Sequence, residues 1–354
     1  MNSKERTLAA LNCEQPDRIP ITELSIDEPV LSQLGDMLGV SPQTSDDRFM
    51  ETDLLCGVAE QLGLDWIITW PRSGQKFIGE THLEDKFGCV YQTSEHGWPV
   101  IIDGPVKGIK DLKGFSMASM LDPGDLADIA YMVDRVGKDR LCGALFTSPF
   151  KLSWLLRGGM VHLLEDYILR PNFVHEMARI TTDYTLALIE QVAKIGVEAV
   201  VLEGDLAGEQ TTIISPTHYR EFIKPYQREI VDSAHKNKIK IVKHSDGNMW
   251  PILDDHIEIG FDGLNPIQPD CMDIAQVKAH VKGKCCLVGN IDCRDLLCEG
   301  SEEEVEEEVR RTIEVAAPGG GYIISTSNSV HPGVKPENYI AMVRAAQKYG
   351  LYHA

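Results

Sequence analysis

The sequence lacks the features that mark a membrane or exported protein. Its 354 residues contain no run of about 18 apolar residues, and the opening Met-Asn-Ser-Lys-Glu-Arg is not followed by an apolar signal core. We therefore expect a cytoplasmic protein. None of the nine cysteines forms a Cys-x-x-Cys pair, and a cytoplasmic protein keeps its thiols reduced, so we do not expect disulfides.

Basic residues are also scarce. Lys and Arg number 34 against 54 Asp and Glu, which gives a formal net charge of −20. Such a chain repels polyanions, so we expect neither nucleic acid nor an anionic membrane as a partner. The sequence has no Gly-x-Gly-x-x-Gly after its first predicted strand and no Gly-x-x-x-x-Gly-Lys-Ser/Thr, which argues against a dinucleotide-binding fold and a P-loop.

Short apolar runs do alternate with amphipathic segments, most regularly from about residue 140. The apolar runs predict strands at residues 65–70, 141–146, 198–203, 238–244, 263–266, 285–289 and 321–325. The amphipathic segments predict helices at residues 49–62, 161–169, 172–195, 216–236, 250–259, 274–280, 302–316 and 336–348. This alternation indicates an α/β protein made of right-handed βαβ units around a parallel sheet.

The number of strands favours a closed (β/α)8 TIM barrel. Seven strands are clear, and residues 19–22 or 100–102 supply an eighth, or both a ninth. Residues 73–124, rich in Gly, Pro and short β patterns, read as an insertion covering one mouth of the barrel. Without a linker or composition break, residues 1–354 are expected to form one barrel domain with an N-terminal extension.

Polar side chains recur where the predicted strands end. The run Lys-His-Ser-Asp-Gly-Asn places His244 and Asp246 at a strand end, and residues two apart on a strand face the same way. Ligands and chemistry collect at the carboxyl ends of parallel strands. Further polar residues follow the neighbouring strands: Glu203, Asp205, Asn265, Gln268, Asn290, Asp292, Ser325, Ser327, Asn328 and His331.

Some of these residues also fit structural roles. Asp246 or Asn248 can cap the following helix, Asn265 can shape a turn before Pro266, and His331 can be a turn residue. Glu203 and His244 each end an apolar strand, where no cap is needed. We therefore interpret these two as the core of a catalytic or metal site.

Two long motifs resemble a known family. Residues 4–20, Lys-Glu-Arg-Thr-Leu-Ala-Ala-Leu-Asn-Cys-Glu-Gln-Pro-Asp-Arg-Ile-Pro, are similar to the start of the uroporphyrinogen decarboxylase superfamily. Residues 319–338, which begin Gly-Gly-Gly-Tyr-Ile-Ile-Ser-Thr-Ser-Asn, resemble its final strand and loop. The resemblance spans essentially the whole chain, and it implies a (β/α)8 barrel with its active site at the C-terminal mouth.

The resemblance implies one of two activities. Decarboxylases of this superfamily carry arginines near the N-terminus that bind substrate carboxylates, whereas the corresponding residues 21–30 contain no arginine and several acidic residues. The other branch contains corrinoid-dependent methyltransferases, which act on methylthiols, methanol-derived methyl groups, methylamines or methoxylated aromatics. The missing arginines favour the methyltransferase branch.

Several of these methyltransferases bind zinc through His-x-Cys and a later Cys, and the matching positions here are His244, Asp246 and Asn328. Replacement of both cysteines argues against a thiol-activating zinc and favours an O-methyl donor. The resemblance implies zinc held by Glu203 and His244, or else a metal-free acid–base site. Because the chain has no Asp-x-His-x-x-Gly, we expect cobalamin to arrive on a separate corrinoid protein.

The leading hypothesis is a corrinoid-dependent methyltransferase of the O-demethylation type, acting on a small-molecule methyl donor. Its expected catalytic residues are His244, Glu203 and Asp246; its expected substrate-binding residues are Asp205, Asn265, Asn290, Asn328 and His331. A decarboxylase of uroporphyrinogen or a related substrate and a non-catalytic ligand-binding barrel remain the alternatives. The sequence is compatible with a homodimer but does not determine the oligomeric state.

Overall fold

Strands and helices alternate along the chain as the apolar pattern predicts. The computed structural model describes residues 1–94, 97–281 and 283–352. Its strands are β1 (Trp66–Thr69), β2 (Lys76–Phe77), β3 (His82–Glu84), β4 (Val90–Ser94), β5 (Gly97–Asp103), β6 (Leu141–Thr147), β7 (Ala199–Glu203), β8 (Lys240–His244), β9 (Gly263–Asn265), β10 (Cys286–Ile291) and β11 (Tyr322–Thr326).

The helices flank these strands on the outside. They are α1 (Ser3–Leu11), α2 (Val30–Leu38), α3 (Met50–Leu62), α4 (Ala127–Val136), α5 (Pro149–Leu156), α6 (Met160–Leu169), α7 (Pro171–Ile195), α8 (Pro216–Phe222), α9 (Lys224–Lys236), α10 (Leu253–Ile259), α11 (Ile274–Val281), α12 (Leu296–Glu299), α13 (Glu302–Ala316) and α14 (Pro336–Tyr349). None of the helices in the described ranges is both long and apolar enough to cross a membrane.

Seven parallel strands form the main sheet, in the order β1-β6-β7-β8-β9-β10-β11. Ile21 and Thr22 close this sheet into a barrel. Ile21 forms a parallel bridge with Ile324 of β11, and Thr22 forms one with Trp66 of β1. These two bridges add an eighth strand position between β11 and β1. The (β/α)8 prediction is confirmed, and residues 19–22, not 100–102, supply the eighth position.

Residues 100–102 belong to a second sheet, which is antiparallel and runs β2-β3-β4-β5. This sheet lies within the predicted insertion, residues 73–124. The short helical turn at Ala118–Met120 and strand β5 contact α7 and α5 respectively, so the insertion packs on the helical wall of the barrel.

Two proline residues break helices that the pattern predicts as continuous. Pro225 divides the predicted helix at residues 216–236 into α8 and α9, and the segment beginning Trp250-Pro251 starts as a 3₁₀ turn before α10. Proline has no N–H to donate within a helix, which explains both interruptions. The acidic start of α13 is a helix terminus with a capping box between Ser301 and Glu304.

Two apolar layers hold the barrel together. One layer fills its interior with side chains from alternate strand positions, including Trp66, Val201, Val242, Val288 and Ile323. Ala10 and Leu11 of α1 join this layer, so the N-terminal helix closes the bottom of the barrel. The second layer packs the outer strand faces against the helices. At the opposite end, polar side chains replace the apolar interior.

Candidate functional site

His244 lies at the carboxyl end of β8, in the same row as two other polar residues. In the sheet register, Glu203 of β7 pairs with His244, and His244 pairs with Asn265 of β9. Because Val242 belongs to the barrel interior and strand side chains alternate, His244 also points inward. The side chain is buried, so its contacts determine what it can do.

One ring nitrogen of His244 is fixed by a hydrogen bond to Asn265. The Asn265 Nδ2 donates to the carbonyl oxygen of Val288 at 3.1 Å, which orients the amide with Oδ1 towards His244. That oxygen lies 2.6 Å from His244 Nδ1 and can only accept, so Nδ1 carries the hydrogen. The other ring nitrogen, Nε2, therefore has its lone pair available when the ring is neutral.

Two carboxylates converge on this nitrogen. His244 Nε2 lies 3.8 Å from Oδ1 of Asp205 and 3.8 Å from Oδ1 of Asp246. The three ligand atoms lie within 4.8 Å of one another, and they form the only group of three or more His, Cys, Asp or Glu side chains in residues 1–94, 97–281 and 283–352 that meets this spacing. We call Asp205, His244 and Asp246 the triad.

Asp246 is held by one oxygen and leaves the other unpaired. Asn328 Nδ2 donates to Asp246 Oδ2 at 2.6 Å. Oδ1 is buried and accepts no hydrogen bond from any described residue. Asp205 is better supported, since its Oδ1 accepts from the backbone N–H of Asp246 at 3.0 Å. An unpaired buried carboxylate oxygen is costly, and here it faces the lone pair of His244.

The surroundings of Asp205 and Asp246 shift the pKa values of the two carboxyl groups in opposite directions. Burial raises the pKa of Asp246, with Asp205 and Glu203 adding to the rise, against the opposing effects of His244 and Asn328. Burial also acts to raise the pKa of Asp205, but His244, the Asp246 N–H and Lys243 outweigh it, so that this pKa is lowered. Two acidic groups with pKa values shifted in opposite directions are typical of acid–base and metal sites.

The triad therefore calls for a positive charge. A neutral His244 presents a lone pair to two oxygen acceptors, which is repulsive unless a cation or a proton lies between them. A metal ion or a proton on Nε2 meets this need, and the hydrogen bond from Nδ1 to Asn265 is the support that metal-binding histidines commonly have. The donor set of one nitrogen and two carboxylates suits zinc or a harder divalent ion.

Glu203 forms an ion pair with a lysine and does not lie in the position expected of a metal ligand. Its Oε1 accepts from Lys151 Nζ at 2.7 Å, and Glu203 does not belong to the triad, where Asp205 stands instead. The ion pair neutralises Glu203 beside the site. The structure thus brings His244 together with Asp205 and Asp246. The sequence had predicted Glu203, and not Asp205, as the carboxylate that shares a metal with His244.

Two predicted substrate-binding residues are engaged with the backbone. Asn290 Nδ2 donates to the carbonyl of Ile267 at 2.9 Å. The ring of His331 accepts the Gly333 N–H at Nδ1 and donates from Nε2 to the carbonyl of Cys293 at 2.9 Å. Both contacts stabilise loops at the mouth, and a role in substrate binding stays a prediction for each.

The capping alternatives have a clear outcome. Asn248 Oδ1 accepts the N–H of Trp250 at 3.1 Å, which forms an Asx turn just before the 3₁₀ turn. The N-cap position of that turn is Met249, and no described side chain caps it. Within the described residues the Asp246 carboxylate makes no such contact, and it instead faces His244 and Asn328. Asn265 precedes Pro266 as the turn interpretation requires, but its amide also orients His244.

Sequence reasoning missed two buried ionisable residues near the mouth. Lys243 points away from the barrel interior towards α10, and burial lowers its pKa to about 8. Glu23 follows the closing bridges, and burial raises its pKa to about 8 although it accepts hydrogen bonds from the N–H and Oγ1 of Thr326. Position at a strand end was a signal for both, but a single sequence does not reveal that they are buried.

Comparison with known proteins agrees with this architecture. The profile of the family described as uroporphyrinogen decarboxylase (URO-D) matches residues 77–349. The uroporphyrinogen decarboxylase of Hydrogenovibrio crunogenus is 25% identical over 72% of each chain. The methylcobamide:CoM methyltransferase MtaA of Methanosarcina barkeri is 23% identical over 98% of each chain.

A solved structure matches over the full length as well. A methyltransferase from Methanosarcina mazei covers 99% of both chains with a TM-score of 0.78 at 20% identity, a likeness that supports the fold. The family profile extends from the insertion to the last helix and includes every residue of the triad together with Asn265 and Asn328. The chain therefore belongs to the uroporphyrinogen decarboxylase family.

Proposed function

We propose that the protein is a methyltransferase that moves a methyl group between a small methoxylated compound and the cobalamin of a separate corrinoid protein. The observation that carries this proposal is the triad, in which His244 and two carboxylates converge at the mouth with one carboxylate oxygen unpaired. The similarity to MtaA over 98% of both chains supports the methyltransferase branch.

We propose further that the triad holds zinc, with Asp205 in place of the expected Glu203. The unpaired Oδ1 of Asp246 and the lone pair of His244 Nε2 fit a cation, and Asn265 and Asn328 hold the two side chains in place. Bound there, zinc would act as a Lewis acid towards an ether oxygen. Without zinc, a proton shared within the triad serves as the acid.

The ligand chemistry favours an oxygen over a sulfur substrate. Related thiol-directed sites use cysteines at the positions of Asp246 and Asn328, and thiolates suit a zinc that binds sulfur. Here one position is a carboxylate and the other an amide, which donates a hydrogen bond but does not titrate. An oxygen-rich site of this kind is better suited to a leaving alkoxide or phenolate.

Demethylation of an ether also requires a group that stabilises the departing oxygen anion. When the C–O bond breaks, the electron pair stays on oxygen, and the departing anion must be neutralised by a proton or a Lewis acid. The triad meets that demand at the mouth, where a corrinoid protein can approach. The absence of arginine from residues 21–30 and the acidity of the chain weigh against an octacarboxylate substrate. We propose a cytoplasmic location for this reaction.

An anaerobic assay tests the proposal. Purified protein is mixed with reduced corrinoid protein and a panel of methoxyaromatics, and the cobalamin spectrum is recorded, with His244→Ala as the matched control. Methylcobalamin formed by the wild-type protein and not by the variant supports the proposal. Release of carbon dioxide from a carboxylated substrate would favour a decarboxylase, and tight binding without either reaction would favour a non-catalytic barrel.

A further inference from the structure

Lys243 presents an unusual combination of charge and burial directly behind the triad. It neighbours His244 on β8, but because strand side chains alternate it points outward, towards a small cavity lined by Met249, Leu253 and His256. Only 1% of the residue is exposed. Burying an ammonium group costs free energy unless each of its hydrogens forms a hydrogen bond, so the partners of Lys243 indicate what the side chain does.

All the hydrogen-bond partners of Lys243 in the described residues are backbone carbonyls. Its Nζ donates to the oxygen of Gly204 at 2.7 Å, to that of Leu202 at 3.4 Å, and to that of His244. An ammonium group has three hydrogens, so the three carbonyls satisfy it. The contacts join the end of β7 to the end of β8, without a direct ion pair.

These carbonyls flank two members of the triad. Leu202 and Gly204 enclose Glu203, Gly204 immediately precedes Asp205, and the third carbonyl belongs to His244 itself. The position of the Asp205 carboxylate relative to the His244 ring therefore depends on how the two strand ends are joined. Lys243 makes that connection from the side of the sheet opposite the triad.

The turn at Gly204 has a conformation and a close contact that only glycine accommodates. Its φ is +149°, and a Cβ at this position would lie 2.1 Å from Ser148 Oγ, so the backbone passes close to the start of α5. Glycine also leaves this turn without a side chain of its own to hold it. The carbonyl of Gly204 is instead held by Lys243, which fixes the direction in which the chain continues to Asp205.

We propose that Lys243 is a positioning residue that sets the distance between Asp205 and His244 by joining the ends of β7 and β8. The proposal rests on the proposed function only in that the triad is taken as the reactive site. Lys243 does not touch the substrate; it acts through the backbone of Gly204 and His244. Its removal should therefore loosen the triad more than it destabilises the barrel.

The test compares Lys243→Met with Lys240→Met, a matched control on the same strand. Lys240 lies at the other end of β8 and pairs with Asp262 at 2.7 Å. Binding of Co²⁺ is followed by its visible absorption, amide hydrogen exchange is measured at residues 204–206, and kcat and KM are determined separately. His244→Ala defines the absence of specific Co²⁺ binding.

For folded Lys243→Met we expect at least about tenfold weaker Co²⁺ binding, an altered spectrum, lower kcat and faster exchange at residues 204–206. Lys240→Met should match the wild type in all four. Wild-type Co²⁺ affinity, spectrum and kcat in Lys243→Met would overturn the proposal, even if exchange were faster, since that pattern is purely structural.

Two other results are possible: Lys243→Met does not fold, or the wild type binds no Co²⁺. If Lys243→Met does not fold, Lys243→Arg decides, because it keeps charge and donors: partial retention of Co²⁺ binding and kcat supports the proposal, and loss equal to His244→Ala contradicts it. If the wild type binds no Co²⁺, the metal part of the proposed function fails, and Lys243 is judged on kcat together with exchange at residues 204–206.

Discussion

Asp65 and Asp246 lie at opposite ends of the barrel and differ in how their carboxylates are satisfied. Asp65, at the start of β1, is fully buried and bonds Arg6 and Arg18 at 2.7 Å each, as well as the N–H of Ile21. Asp246, beyond the end of β8, has one partner, Asn328, and one buried oxygen without any among the residues described.

The difference separates stability from function. At the closed end, a carboxylate with two cationic partners holds the N-terminal segment against the first strand. At the open end, Asp205 and Asp246 converge on the imidazole of His244, and neither carboxylate forms an ion pair with a Lys or Arg side chain among the described residues. Barrel enzymes commonly show this polarity, with stabilising residues at the bottom and reactive residues at the C-terminal face.

The largest effect is expected for His244→Ala. Removing the imidazole takes away the only nitrogen of the triad, so methyl transfer should fall by at least about 100-fold. The fold should persist, because the residue lies at a strand end and its main partner is Asn265. Turnover is measured with the corrinoid assay and folding by circular dichroism. Near wild-type turnover in a folded variant would remove the triad from the account.

Asp65→Asn should have the opposite profile. It leaves the guanidinium groups of Arg6 and Arg18 without their shared anion, so the free energy of unfolding should fall by about 3–5 kcal/mol. Denaturant unfolding measures the loss, and turnover per folded molecule should remain near that of the wild type. A variant that is stable but inactive would contradict the division between the two ends.

Asp246→Asn makes the same substitution at the open end of the barrel. The new amide can still accept from Asn328, and it no longer places an unpaired charge beside Asp205. The free energy of unfolding should therefore be unchanged or rise by up to about 1 kcal/mol, while turnover falls. A loss of stability as large as that of Asp65→Asn would show that Asp246 is satisfied in solution.

Glu23 is an intermediate case: its buried carboxyl accepts hydrogen bonds from Thr326 and has no cationic partner among the residues that the structure describes. Burial raises its pKa from 4.5 to about 8, so the folded protein binds a proton that the unfolded chain releases. The resulting stability is fully present below pH 4.5 and is lost as pH rises through 8.

Glu23→Gln should remove this dependence. We expect unfolding free energies similar to the wild type near pH 5, and a variant that is more stable near pH 8.5, by an amount on the order of a few kcal/mol at most. Denaturant unfolding across this pH range measures it. Parallel pH profiles for the two proteins would contradict the raised pKa of Glu23.

Much of the fold follows from local pattern, whereas the site depends on contacts between distant segments. The apolar run ending at His244 predicts a buried strand, and the residue positions at its end follow from a period of two. The closing strand was ambiguous because only Ile21 and Thr22 make its bridges, and so short a segment carries little pattern.

The ligand set was harder to predict for a specific reason. Glu203 ends β7 and Asp205 lies two residues further along the chain, so spacing does not distinguish them. Lys151, from α5, pairs with Glu203 and leaves Asp205 to face His244. That choice depends on a residue about fifty positions away, which the pattern around β7 does not contain. Asn328, in contrast, was placed beside Asp246 by the family resemblance, and its hydrogen bond to Asp246 Oδ2 agrees.

We propose that the triad binds a metal ion and not only a proton. Elemental analysis of protein purified without chelator tests it most directly, with Asp65→Asn and Asp246→Asn analysed in parallel. We predict about one zinc ion per chain in the wild type and in folded Asp65→Asn, and much less in Asp246→Asn. A catalytically active wild-type protein without metal, or equal zinc in all three proteins, would contradict the claim.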